Sequence, residues 1–418
     1  MSQNQPGIKR SEEEYSGYRW VIIGLLLTTQ EISSIVSAAI GILLPSMRRE
    51  LGFGVVEAGV LSAVTQAPMA LLGIPASLFL VRFNAKWVYL ISMLFAAVAG
   101  FFIGQAPAFI FLAVFYSVNG IAMTMRQVPD TLLKLQWIPK KQLATMMGIS
   151  MGMGAMGQST AVIAVPFLLI VLQSWRNLLS VYSLAIILLS VVWIIFSRER
   201  ITSTYRDGMS SIAGRAPLKN VLKRKEFLIM GFAWFGAPIA YMTTFFFLPT
   251  YLLEERGLTL TIAGIVTGIM PIGAICATFS VGFVSDRIGL RKPLIWPAGI
   301  ILPFLYFILF SPVPLWALQI TAFFIGYLGW APFPLLRTIP FELPGIKPSE
   351  VVVGQSLMVA VNAVAIITGA PMVGFLAERI GSLGVALRIL CLFPLMLAIS
   401  GLLLPETGPK AHQKRSHP

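Results

Sequence analysis

Twelve long apolar runs limit this chain's fold more than any other feature. Their approximate cores are 20–44, 56–80, 87–105, 109–132, 144–171, 178–196, 228–250, 262–284, 294–311, 315–336, 352–375 and 384–404. An α-helix needs about 20 residues to cross roughly 30 Å of hydrocarbon. Lipid offers a backbone N–H or C=O no partner, so each run is expected to be a helix, bonded within itself. Composition agrees. Of 418 residues, 57% are hydrophobic and 11% charged, and the mean hydropathy is +0.83. A soluble domain carries about 25% charged residues. The first run lacks a small-residue cleavage site and reads as a retained span, not a signal peptide.

Basic residues set the expected orientation. With the N-terminus taken as cytoplasmic, 24 of the 31 lysines and arginines fall in inside segments and 5 in outside loops, while Arg126 and Arg388 lie within spans. The positive-inside rule then predicts both termini cytoplasmic. The net charge of +14 is thus a topology signal and gives no support to a nucleic-acid partner. The expected organisation is a tail (1–19), a six-helix bundle (20–196), a central cytoplasmic loop (197–227), a second six-helix bundle (228–404) and a tail (405–418). Cys276 and Cys391 both sit in apolar runs, so neither a disulfide nor a metal site is expected. His412 and His417 are the only histidines, and no nucleophile–base set or phosphate loop is present, so the chain does not read as an enzyme.

The two halves repeat each other weakly. Gly120 in "NGIAM" and Gly326 in "IGYLG" are 206 residues apart, as are Gly148 and Gly354 at the ends of "WIPKKQLATMMG" and "LPGIKPSEVVVG". Pro45 and Pro249 are 204 apart. Two repeated bundles joined by a polar linker point to one bundle rocking against the other.

The segment "GFVSDRIGLRKP" resembles the loop signature of the major facilitator superfamily, through Gly282, Asp286, Arg287, Gly289, Arg291 and Lys292. "SWRNLL" at 174–179 and "PETGPK" at 405–410 are similar to that family's fifth-to-sixth loop and to its ending after the twelfth span. The resemblance implies a secondary transporter with alternating access. It also implies a gating role for the loop: Asp286 faces the N-terminus of the eleventh span, whose partial positive charge attracts a carboxylate, and so favours the outward-open state. The alternative is a loop that only sets topology. The first-half loop "LFLVRFNAKWVYL" departs from the signature. Ser77, Val81 and Asn84 replace the acid and both glycines, so that half is expected to close by other contacts.

Ionisable groups within spans are costly and face cavities. Glu31, near the middle of the first span, borders a stripe of Gln30, Ser34, Ser37 and Gly41 at helical spacing. A carboxyl that is buried on one face and rehydrated on the other can take up and release a proton. Glu31 is therefore the candidate coupling acid and the proton the candidate coupling ion, with no other cofactor. Arg126 and Asp130 lie one turn apart on the fourth span, either as a local ion pair or with Arg126 facing a cavity. Arg388 is expected to snorkel. Asn119, Gln158, Gln355 and Asn362 can orient a solute by hydrogen bonds, and Trp234, Tyr241 and Trp330 can supply flat walls. Gln355 and Asn362 share one face. Gly148/Gly152 and Gly264/Gly268 have the spacing of close helix packing.

These residues point to a proton-coupled carrier of a small organic solute, an anion if Arg126 faces the cavity. A multidrug exporter and a non-transporting membrane receptor are the alternatives. The fifth span lacks the family's Gly-Pro antiport pair, which counts against drug–proton exchange. Action as a monomer in the plasma membrane is expected.

Overall fold

The computed structural model describes residues 17–80, 82–138, 140–199, 218–343, 345–346 and 348–408. These contain no strand. The first half comprises α1 (Arg19–Leu51), α2 (Val55–Leu80), α3 (Ala85–Gly104), α4 (Phe109–Trp137), α5 (Lys140–Leu172) and α6 (Trp175–Phe196). The second comprises α7 (Lys225–Glu254), α8 (Leu260–Ile288), α9 (Trp296–Leu309), α10 (Leu315–Trp330), α11 (Pro332–Glu342), α12 (Pro348–Ile380), α13 (Leu383–Leu390) and α14 (Leu395–Leu403). Eleven helical segments among the described residues are long and apolar enough to cross a membrane. α1 is itself 33 residues long. Side chains such as Leu71, Val171 and Phe283, 73%, 77% and 68% exposed, point away from the protein. In water they would be costly; in lipid they need no cover.

Local chemistry starts and ends the helices. Asn84, Ser174, Thr259 and Ser382 cap the N-termini of α3, α6, α8 and α13, each accepting a backbone N–H. Gly52 and Gly289 close α1 and α8 in the left-handed conformation, with φ of 68° and 73°. The expected tenth span ended at residue 336. In the structure helix resumes after a break at Ala331 and runs to Glu342, because the proline at N1 of α11, Pro332, is compatible with a helix start. The twelfth span is likewise divided, between α13 and α14, at Pro394.

The weak repeat is real in three dimensions. α2 packs on α4, and α3 on α4 and α6; α8 packs on α10, and α9 on α10 and α14. A Cβ added to Gly120 of α4 would lie 2.1 Å from the Thr65 carbonyl oxygen of α2, and one added to Gly326 of α10 1.9 Å from the Met270 carbonyl oxygen of α8. Only glycine permits either approach.

The halves meet through α2 with α12, α5 with α8, and α1 with α7. At one end of the bundle these contacts form a seal. Gly59 faces the Ala370 carbonyl, and Gly264 the Val162 carbonyl, so closely that a Cβ would stand 2.5 and 2.6 Å from the oxygen. Gly264 and Gly268 both serve this packing, as their spacing predicts. Gly152 does not: a Cβ there would meet only the Phe279 ring, at an ordinary 3.6 Å. Ser159 Oγ donates to the Gly268 carbonyl at 2.7 Å, and Arg48 pairs with Glu254 at 2.9 Å. The opposite end carries the loops around Asn84 and Gly289 and the segment 405–408. It is called the basic end below.

Candidate functional site

A chain of three cavities lies between the halves. The largest, a polar chamber of about 640 Å³, is lined by Gln30, Arg126, Gln127, Asp130, Lys134 and Ser150 of the first half and by Arg337 of the second, among others. A smaller chamber of about 270 Å³ is walled by Trp234, Tyr241, Trp330 and Phe333, with Asn362 and again Arg337. A side pocket of about 160 Å³ shares Tyr241 and Trp330 with it and adds Gln158.

The polar chamber is cationic. Its lining carries Arg126, Lys134 and Arg337 against one carboxylate, Asp130. Lys134 Nζ binds that carboxylate at 2.6 Å, one helical turn on. Asp130 thus bonds Lys134, a partner not expected from the sequence, and Arg126 also lines the chamber. Positive charges that line one cavity raise the local concentration of anions. Gln30 lines the same chamber and donates to the Ser150 carbonyl at 2.8 Å. Glu31, next to it, is half-buried. The side chain of Ser34 lies outside the described residues.

The other expected binding residues separate into four environments. Trp234, Tyr241, Trp330 and Asn362 line the aromatic chamber, and Gln158 the side pocket. Gln355 bonds the backbone instead: its Nε2 donates to the Arg337 carbonyl at 2.9 Å, tying α12 to α11 beneath that arginine. Asn119 is 2% exposed and packed inside the first half. Arg388, expected to snorkel, donates to the Phe310 carbonyl.

Arg337 reads in the sequence as a loop residue, because three prolines surround it in "APFPLLRTIPF". It stands seven residues, about two turns, after Trp330, which puts it on the same side of the span. That spacing was the available signal. Its guanidinium lies over the Trp234 ring, 5.4 Å from the centroid. Among the described residues no carboxylate pairs with it.

At the basic end Arg291 is a hub. It is buried, and its guanidinium bonds Asp286 at 2.7 Å, Ser285 Oγ at 2.7 Å and Glu342 at 2.9 Å. Burial alone would lower the pKa of Arg291, but the bonds to Glu342 and Asp286 outweigh it and raise the group above its ordinary value. Asp286 is itself largely exposed. The backbone N–H groups of Arg291 and Lys292 donate to Glu406, at 2.7 and 3.1 Å, and Thr407 Oγ1 donates to Glu342 at 2.7 Å. Lys292 Nζ reaches the Leu402 carbonyl at 2.7 Å. Arg287 is exposed, and Gly282 has open space where a Cβ would be. The side chains of Pro348 and Ser349, which open α12, the expected partner of Asp286, lie outside the described residues, while Glu350 in its first turn is buried and pairs with Arg224 at 3.2 Å. So does Val81, and so do most of the central loop and both tails.

The first-half loop has a hub of its own. Glu199 accepts from the Lys86 backbone N–H at 2.9 Å and from Asn84 Nδ2 at 2.5 Å. Lys86 Nζ donates to the Ser197 carbonyl at 2.7 Å.

A family model described as the Major Facilitator Superfamily matches residues 26–354. The hexuronate transporter of Bacillus subtilis (strain 168) is 23% identical over 279 residues, 64% of each chain. The probable nitrate/nitrite antiporter NarK1 of Thermus thermophilus is 24% identical over 274 residues, 63% of this chain and 60% of that one. The matched region thus spans less than two thirds of either relative. A bacterial homologue of the human lysosomal transporter Spinster, solved inward-facing and unoccupied, has a TM-score of 0.73 at 16% identity, covering 93% of this chain and 95% of that one. At this identity the likeness concerns the fold.

Proposed function

The chain belongs to the major facilitator superfamily and is a multi-pass integral membrane protein, and from that premise we propose that it is a secondary active carrier of a small organic anion, working by alternating access. The observation that carries this reading is the pairing of Arg126 and Arg337, from opposite halves, on one chamber. An anion between them attracts both bundles at once, so its binding favours the state in which the halves approach at the basic end. The two relatives are named for anions, hexuronate and nitrate or nitrite, which supports an anionic substrate, organic in the first case. With the basic end cytoplasmic, the glycine seal faces out and the described state is inward-open.

The proton is the proposed coupling ion and Glu31 its carrier. Glu31→Gln keeps the side chain's size but removes the titration. In proteoliposomes with an imposed pH gradient, wild type should accumulate an organic anion against its gradient. Glu31→Gln should exchange it without accumulation. Equal accumulation by both would remove Glu31 from the coupling step. A planar organic cation transported in place of any anion would favour the multidrug reading. Binding without flux would favour a receptor.

A further inference from the structure

Resting on the anion reading above, we propose that the carried anion has a flat apolar body: it is an aromatic carboxylate whose ring enters the chamber of Trp234, Tyr241, Trp330 and Phe333 while its carboxylate meets Arg337. Four features of that chamber support this assignment.

The first is shape. The four rings do not lie in one pile. Trp234 meets Phe333 at 4.7 Å and 68°, Trp330 meets Phe333 at 5.6 Å and 57°, and Tyr241 meets Trp330 at 6.0 Å and 87°. Inclined rings around a space offer both faces and edges. A planar guest can stack on one wall and receive the edge of another, which are the arrangements aromatic pairs prefer. The second is size. A dry apolar cavity of about 150 Å³ suffices for benzene, so about 270 Å³ admits one substituted ring.

The third is the scarcity of polar partners. Besides the aromatic N–H and O–H groups, the polar side chains facing the space are Asn362, Arg337 and Thr278, whose hydroxyl proton already goes to the Ala274 carbonyl at 2.9 Å. A polyhydroxylated acid would leave several hydroxyls unbonded against indole and phenyl walls, whereas a ring asks for none. The fourth is the position of charge. Arg337 belongs to both chambers, and its guanidinium is held against the face of Trp234. A planar cation at the mouth of an apolar room suits a guest with a carboxylate at one end and a ring at the other.

The test uses the purified full chain in proteoliposomes, with counterflow exchange of three labelled aromatic acids (benzoate, 4-hydroxybenzoate and phenylacetate) and of glucuronate, a polyhydroxylated acid of equal charge. Tryptophan fluorescence follows binding in parallel. At least one aromatic acid should exchange and bind at least tenfold better than glucuronate. Trp330→Ala should weaken that acid at least tenfold and leave glucuronate within about twofold, and Trp330→Phe should restore most of the loss. Arg337→Lys should weaken both classes. If Trp330→Ala does not fold, Phe333→Leu supplies the same comparison. Exchange of glucuronate with no aromatic acid better overturns the assignment and leaves the anion reading intact. So does a preference for the aromatic acid that neither variant alters. Exchange of a planar organic cation, with no anion of either class exchanged, overturns both.

Discussion

The two basic-end loops join equivalent helices, α2 to α3 and α8 to α9, yet they are fastened by different chemistry. In the first half the hub is an acid, Glu199, which gathers the Lys86 backbone N–H and Asn84. In the second half an acid in the matching place, Glu406, gathers the backbone N–H groups of Arg291 and Lys292. Among the described residues, a second layer is added only there: the buried Arg291 guanidinium, which binds α8 through Asp286 and α11 through Glu342. The acid that follows the last helix of each half is therefore the shared device, and the arginine is the specialisation. At the outer corners the division is reversed, with the arginine in the first half. Glu50, at the end of α1, takes the side chains of Arg176 and Trp175, while Glu255, just past α7, takes the backbone N–H groups of Leu383 and Gly384 at the start of α13.

The sharpest way to break the comparison is to remove the specialisation. Arg291→Met leaves Glu342 with one hydroxyl partner and Asp286 to the solvent. Breaking a buried pair from one side costs about 3–5 kcal/mol; since Asp286 is largely exposed and Glu342 partly so, about 2–3 kcal/mol is expected. Thermal unfolding in detergent would measure this, and a loss no larger than that of Glu199→Gln would deny the second half its extra layer.

The shared device is tested by a matched pair, Glu199→Gln and Glu406→Gln. Each change leaves one amide oxygen where the carboxylate offered two, so one bond becomes neutral and the other donor loses its acceptor, and each should cost about 1–2 kcal/mol. Equal losses support equivalence. A silent Glu199→Gln would mean that the first-half loop is held elsewhere. At the corners, Glu255→Gln should cost about 1 kcal/mol, because it removes an acceptor from a helix N-terminus. Glu50→Gln should cost less, about 0.5 kcal/mol, because the pair it breaks is half-exposed.

The smallest change in stability belongs to Asp286→Asn, under about 1 kcal/mol for a largely exposed pair. Its informative readout is conformational. If Asp286 meets the start of α12 in the other state, neutralising it should shift the population by about 0.3–1 kcal/mol toward the state described here. Cysteine labelling from both ends would then rise in the polar chamber and fall beyond the glycine seal. Unchanged labelling would reduce the loop to a topology marker.

These particulars separate what was legible in the sequence from what was not. The helices were legible because lipid allows a run of that length and polarity few alternatives, and the repeat was legible at Gly120 and Gly326 because close backbone approach tolerates no other residue. Arg337 was missed because proline on both sides reads as loop. At N1 of a helix proline is harmless, and the span simply continues through it. Glu199 was missed for another reason. An acid among the basic residues of "SRER" looks like a solvated turn, and only the folded chain brings it back to Lys86. Among the binding candidates, residue type alone could not distinguish Asn362, on the cavity wall, from Asn119, in the packed interior.

The Glu199 and Glu406 hubs also bear on the order in which the protein can assemble. The first closes a span of 113 residues, from Lys86 to Glu199, and the second one of 115, from Arg291 to Glu406. A chain emerging from the ribosome folds its N-terminal part first. The first hub can therefore form before any of α7 has been made, whereas the second must wait until α14 has been synthesised and inserted. The Arg291 guanidinium itself does not wait: Asp286 is five residues away and Glu342 follows with α11, so both of its carboxylate partners precede α14. An arrest of synthesis between α12 and α14 would leave only the backbone N–H groups of this loop without their acid, while the first half was already complete.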